Sequence, residues 1–209
     1  MNSSKPMILF VAGYAGSGKT MVGKIIASKL HASYIDKDTL YRRIIEKSLE
    51  LTTGNPYNYT SDFYNQNFKR LEYEGMLDTA IENAKLNPRV VVTGPFTHSP
   101  GSASFRDSEW TNEISQKCKK IGADWHAVWV FSSNDAIRKM LELRKAPRDD
   151  WKLAHWEEYT TKYRMNKDDL TLPFPNHTII RNDGRNLREI EADVNAMLAK
   201  LGLTIAQAD

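Results

Sequence analysis

The sequence predicts an α/β fold: a five-stranded parallel sheet with helices on both faces and a helical lid inserted before the last strand. Two patterns lead there. Short, near-continuously apolar runs recur along the chain, the form strands take when both faces of a parallel sheet are covered. Stretches of helical period alternate with those runs.

The first apolar run, Met7 to Ala12, enters a glycine-rich segment, and a helix follows with Val22, Ile25, Ile26 and Leu30 on one side. Ser33 to Asp36 reads as the second strand, Arg89 to Thr93 as the third, Trp125 to Phe131 as the fourth and His177 to Arg181 as the fifth. Helices are expected near Leu40 to Leu51, Ser61 to Lys85, Ser104 to Ile121 and Asn134 to Arg144. The last strand precedes a helix carrying Leu187, Ile190, Val194, Met197, Leu198 and Leu201 at helical spacing. Asp149 to Asn166 reads as a helix without a strand of its own, entered through Ala146-Pro147 and opened by Asp149 and Asp150. Residues 145–170 are therefore taken as a lid within a single domain spanning 1–209, and the tail from Leu203 is expected to fray.

Composition narrows the function classes. Hydrophobic residues are 41% and charged residues 26%, which is globular composition and excludes collagen-like and disordered chains. A net charge of +3 is too small to argue for a nucleic-acid partner or an anionic membrane. No run approaches the ~18 apolar residues of a membrane span. Lys5 followed by Met7 to Ala12 resembles a secretory leader, but the apolar run is short and leads directly into the glycine-rich segment. The single Cys118 closes no intrachain disulfide and has no metal-type Cys/His spacing around it, consistent with a reducing cytoplasm.

Gly13-Tyr14-Ala15-Gly16-Ser17-Gly18-Lys19-Thr20 has the spacing of a phosphate loop, Gly, four residues, Gly-Lys-Thr, between a strand and an amphipathic helix. The glycines let backbone N–H groups face phosphates, and the helix beginning near Gly18 adds its positive end. Lys19 is expected to bridge the terminal phosphates of ATP, and Thr20 to offer a hydroxyl to Mg²⁺.

Asp36 and Asp38 stand two apart at the end of the second strand, so extended geometry would turn both to the ligand-binding edge of the sheet. Asp36 is the candidate base or metal residue, with Asp38 orienting substrate. The alternative is that Asp38 caps a helix beginning at Thr39 and Asp36 is a solvated turn residue. Arg144 and Arg148 flank the Ala146-Pro147 hinge and are expected to close over the transferring group, whereas Arg138, Lys139, Lys145 and Lys152 read as solvated charges. Arg42, Tyr64 and His98 complete the candidate substrate residues. Trp156, Tyr159 and Tyr163 on the lid, and the aromatic-rich stretch Asn55 to Asn67, could form either core or an acceptor pocket.

The phosphate loop, Ile35-Asp36-Lys37-Asp38 and Arg144-Lys145-Ala146-Pro147-Arg148-Asp149 together resemble small P-loop kinases of the shikimate, gluconate, chloramphenicol phosphotransferase and zeta-toxin type. The similarity spans most of the chain and extends to kinase-like proteins labelled AAA-family ATPases, in which Phe63-Tyr64, Glu72-Tyr73 and Gly94-Pro95-Phe96 also look familiar. The resemblance implies a three-layer P-loop NTPase fold, ATP-dependent phosphoryl transfer to a small-molecule hydroxyl, Asp36 as the catalytic carboxylate, lid arginines on the phosphates, and nucleoside contact from Asn182 and Gly184. Departures lie in the acceptor region, so the acceptor does not carry over. A nucleotide-dependent regulatory module with weak ATPase activity, or a polynucleotide or nucleotide-sugar kinase, remains as an alternative.

Overall fold

The computed structural model describes residues 5–97, 105, 107–163 and 176–206. Five strands, β1 (Met7–Ala12), β2 (Ser33–Asp36), β3 (Arg89–Thr93), β4 (Asp124–Phe131) and β5 (His177–Arg181), form one parallel sheet in the order β2-β3-β1-β4-β5. Nine helices surround them among the described residues: α1 (Lys19–Leu30), α2 (Lys37–Thr53), α3 (Asp62–Asn67), α4 (Lys69–Ala84), α5 (Ser108–Lys120), α6 (Asn134–Arg144), α7 (Asp150–Ala154), α8 (Trp156–Tyr163) and α9 (Leu187–Lys200).

The apolar strands are buried on both faces because their alternate side chains enter two different cores. Ile8, Phe10 and Ala12 of β1 join Val90, Val92 and Trp129 under α4, α5 and α6. Leu9 and Val11 join Val91, Val128 and Ile180 under Val22 and Ile26 of α1 and Ile190 and Val194 of α9. The result is three layers, as expected from the sequence. Cys118 is buried in the first of these cores, where burial pushes its thiol up to about 12.

Register sets the functional edge. Val11 and Asp36 both pair with Thr93, Ala12 pairs with Trp129, and Phe131 pairs with Arg181, so the C-terminal strand ends lie together. The chain leaves β1 there for α1 while its neighbours β3 and β4 lie on either side, the switch point at which open parallel sheets form a crevice.

Three expectations are corrected. The helix expected over Ser61 to Lys85 is two helices, because Phe68 leaves helical geometry (φ −123°, ψ −36°) and packs its ring against Phe63 in a satellite core with Ile45 and Leu49. The helix expected from Leu40 begins at Lys37, directly after the strand, because the Asp36 carboxylate accepts the Thr39 N–H and caps it. The lid expected as one helix is a 3₁₀ turn (Pro147–Asp149) followed by α7 and α8, broken at His155; the rest of the expected lid, 164–170, lies outside the described residues. Among the described residues no helix is long and apolar enough to cross a membrane.

Candidate active site

The loop between β1 and α1 is shaped by glycines that admit no side chain. Gly13 (φ 151°) would place a Cβ 2.6 Å from the Val130 carbonyl oxygen, and Gly18 (φ 87°) would place one 2.2 Å from the Asn182 amide nitrogen. Gly16 lies against Ile137 and Leu141 of α6. The loop is braced from below: the Asn182 amide donates to the Ser17 carbonyl at 2.9 Å, and Ser132 Oγ to the same oxygen at 3.1 Å. Tyr14 packs edge-on to Trp129 at 5.6 Å. Ala15 lines the cavity described below, and Ser17 is fully buried.

Lys19 opens α1 and donates to the Tyr14 carbonyl at 3.3 Å. Burial lowers its pKa to about 8; Arg144 and Arg148 push the same way, against Asp38 and Asp36. A cation whose charge is this poorly solvated is set to gain from an arriving polyanion. Thr20 follows it with its side chain exposed at the helix start.

Lys19, Thr20, Asp36 and Asp38 share a cavity of about 370 Å³ at the sheet edge with Arg144, Arg148 and Tyr64. Both aspartates reach the cavity, but not through the extended geometry expected. Extended geometry ends at Asp36, so Asp36 is the cap, with Oδ1 also accepting from Thr39 Oγ1 at 3.2 Å and Oδ2 from the Tyr34 hydroxyl at 3.4 Å. Asp38 lies in the first turn of α2 and accepts from Arg148 Nη1 at 2.6 Å. Burial would raise the Asp38 carboxyl, but Lys37, Arg148 and Lys19 outweigh it and hold the group down to about 2.

The lid cations are organised by a carboxylate that the sequence reading took for a plain helix opener. Asp149 is fully buried and accepts from Arg144 Nε and from Lys152 Nζ, each at 2.8 Å. Lys152, expected as a solvated charge, lines the cavity and also donates to the Arg148 carbonyl at 2.9 Å. Its spacing three residues after Asp149 was the available signal.

Reasoning from the sequence also missed the ionic floor. Lys37, buried between the two aspartates, pairs with the buried Glu72 at 2.9 Å, and the Tyr64 hydroxyl donates to the other Glu72 oxygen at 2.6 Å. A glutamate on the same buried helix face as Tyr73 and Met76 was the hint, since such a carboxylate requires a partner. Lys69 lines the same cavity, its pKa lowered to about 8 by burial and by Lys37.

Other candidates stand apart. Arg42 is exposed on α2 and does not line the cavity. Asn182 spends its side chain on the loop rather than facing the cavity, and Gly184 occupies an exposed turn (φ 73°) beyond it. His98 lies outside the described residues.

A metal would find few protein ligands: among the described residues no three His, Cys, Asp or Glu side chains gather into an ion site. Thr20 and Asp36 bordering one cavity fit a hard cation that keeps phosphate and water as its other ligands.

Residues 15–98 match the family model for shikimate kinase. A shikimate kinase from Synechococcus elongatus is 30% identical over 103 residues, 49% of this chain and 45% of that one. The chain spans less than half the length of the curated shikimate kinases it matches, 24% and 44% in two others. Solved structures align over nearly the whole chain. An unliganded sugar kinase from Janibacter has a TM-score of 0.57 at 12% identity over 96% of both chains. A shikimate kinase from Bacteroides thetaiotaomicron has 0.54 at 17% identity, over 96% of this chain and 100% of that one. The chain thus has the fold of the small P-loop kinases, and its shikimate kinase match covers the segment that carries Lys19, Thr20, Asp36 and Asp38.

Proposed function

We propose that the protein is a Mg²⁺-ATP-dependent kinase that moves the γ-phosphoryl group to a hydroxyl of a small molecule. The observation that carries this reading is the shared cavity: a glycine-shaped phosphate loop with Lys19 faces two carboxylates under two lid arginines. In transfer, the acceptor oxygen forms its bond to the γ-phosphorus as the bond to the β,γ-bridging oxygen breaks, the hydroxyl proton leaves, and ADP departs. Lys19 and the loop amides hold the phosphates, while Asp36 receives the proton or holds a metal-bound water. Asp38 orients the acceptor. Mg²⁺, held through Thr20 and Asp36, would supply charge neutralisation on the phosphates. Arg148 now pairs with Asp38 and Arg144 with Asp149, so both already stand at the cavity where the charge of the transferring group develops.

ADP release in the presence of Mg²⁺-ATP should rise when hydroxyl compounds are added, and Lys19→Ala should lower that acceptor-dependent rate by at least about a hundredfold. Full activity in that variant would remove the phosphate loop from the chemistry. Slow ADP release indifferent to every acceptor would favour a nucleotide-dependent regulatory module instead.

Protonation supplies a further expectation. Between about pH 8 and 10.5 the folded protein holds Lys19 neutral while the unfolded chain holds it charged, so the group's contribution to stability rises with pH across that window. Bound phosphates favour the charged form. ATP binding at roughly pH 8.5 should therefore take up protons, and affinity should weaken as pH rises above about 8. Calorimetry in two buffers of different ionisation enthalpy measures the uptake. Its absence would contradict direct contact between Lys19 and phosphate.

A further inference from the structure

The cavity has two kinds of lining. Lys19, Thr20 and the lid arginines supply groups suited to phosphate. Besides Tyr14 of the phosphate loop, six aromatic side chains, Tyr57, Tyr59, Tyr64, Tyr73, Trp151 and Tyr159, are brought to it by the loop after α2 and by α3, α4, α7 and α8. Neither Asn182 nor Gly184 lines it, so the rings lie away from the segment after β5. They share the cavity with Asp36 and Asp38 instead.

The rings divide by burial. Tyr64, Tyr73 and Tyr159 are buried and form the floor. Tyr59 and Trp151 are half-buried, one on the loop and one on the lid. Each is held in place by another ring, Tyr59 perpendicular to Tyr64 at 5.2 Å and Trp151 stacked on His155 at 5.0 Å. Ring surfaces fixed in this way suit a flat partner. An open-chain polyol would lose hydration there without enough hydrogen bonds in return, whereas an aromatic face stacks at little cost. Asn55 and Asn58 line the same cavity, and their amide N–H groups can donate to heteroatoms on a ring edge.

We propose that the acceptor is a compound whose hydroxyl-bearing arm is attached to a flat aromatic or heteroaromatic ring, held against Tyr59 and Trp151. The inference rests on the kinase reading for its choice of acceptor but is tested by binding alone. Its two sources of ring, a nucleoside and an aryl alcohol, share the stacking and differ at the amide edge.

The test is ligand-observed saturation-transfer NMR on the full chain with Mg²⁺ and a non-hydrolysable ATP analogue, using cytidine, adenosine, a phenylpropanediol, shikimate and gluconate as probes. At least one ring probe should bind about tenfold more tightly than shikimate and gluconate, and Tyr59→Leu and Trp151→Leu should each weaken it about tenfold. Tyr59→Phe should restore binding, and thermal melts establish that the variants fold. Tighter binding of the nucleosides assigns the edge to a heteroaromatic ring, and tighter binding of the phenyl compound to an aryl one. The inference is overturned if no ring probe binds, if the non-aromatic probes bind as well, or if both leucine variants bind rings like the native protein. Ring binding lost in those variants, with no acceptor ever phosphorylated, would sustain this inference and overturn the kinase reading.

Discussion

Asp36→Asn should leave the fold and metal-free ATP binding in place while lowering phosphoryl transfer by about 10²–10⁴-fold, the range expected for loss of a positioned proton acceptor. The substitution isolates chemistry from structure because of where Asp36 sits. Its Oδ1 caps α2 by accepting the Thr39 N–H at 3.0 Å, and asparagine caps helices about as well as aspartate. The amide keeps an oxygen for the cap but brings no charge to the cavity. Single-turnover transfer and ATP affinity, measured on the same preparation, separate the two effects. Unchanged transfer would remove Asp36 from the mechanism and shift the role to Asp38, whose pairing with Arg148 would then have to open during turnover.

The second large effect concerns stability. Glu72→Ala should destabilise the protein by about 3–5 kcal/mol, because it strands Lys37 in a buried position and leaves the Tyr64 hydroxyl without its acceptor. Lys37 also lies 3.7 Å from Asp38, which limits the loss. Replacing both members with apolar residues of similar size, Lys37→Met with Glu72→Leu, should recover most of the stability, since a buried pair costs much of what its attraction returns. Denaturant unfolding of the single and double variants decides this. A single variant as stable as the native chain would show that the pair has no structural weight.

The fold was largely legible because its central strands are buried on both faces. Met7–Ala12 and Val90–Val92 of β3 stand out as continuous apolar runs, with no alternation to confuse them. The phosphate loop was legible for a related reason: its constraints are local, glycine conformation and the start of α1. The aspartate pair shows where local reasoning fails. Treating Asp36 and Asp38 as neighbours on one face assumed that the strand continued, whereas the cap turns the chain into α2 at once. Long-range electrostatics was hidden altogether. Lys37 and Glu72 are 35 residues apart, and Arg148 and Asp38 are 110 apart. Only the sheet order and the packing of α4 and the lid bring them together. Lys152 was misread because its charge suggests solvent, while the buried Asp149 beside it demands a cation.

The most direct measurement is mass spectrometry of hydroxyl compounds incubated with the protein and Mg²⁺-ATP labelled with ¹⁸O in the γ-phosphoryl group. The account predicts a phosphorylated product that carries the label and is absent with Lys19→Ala. Label appearing only in inorganic phosphate, at the same rate with and without acceptors, would contradict it.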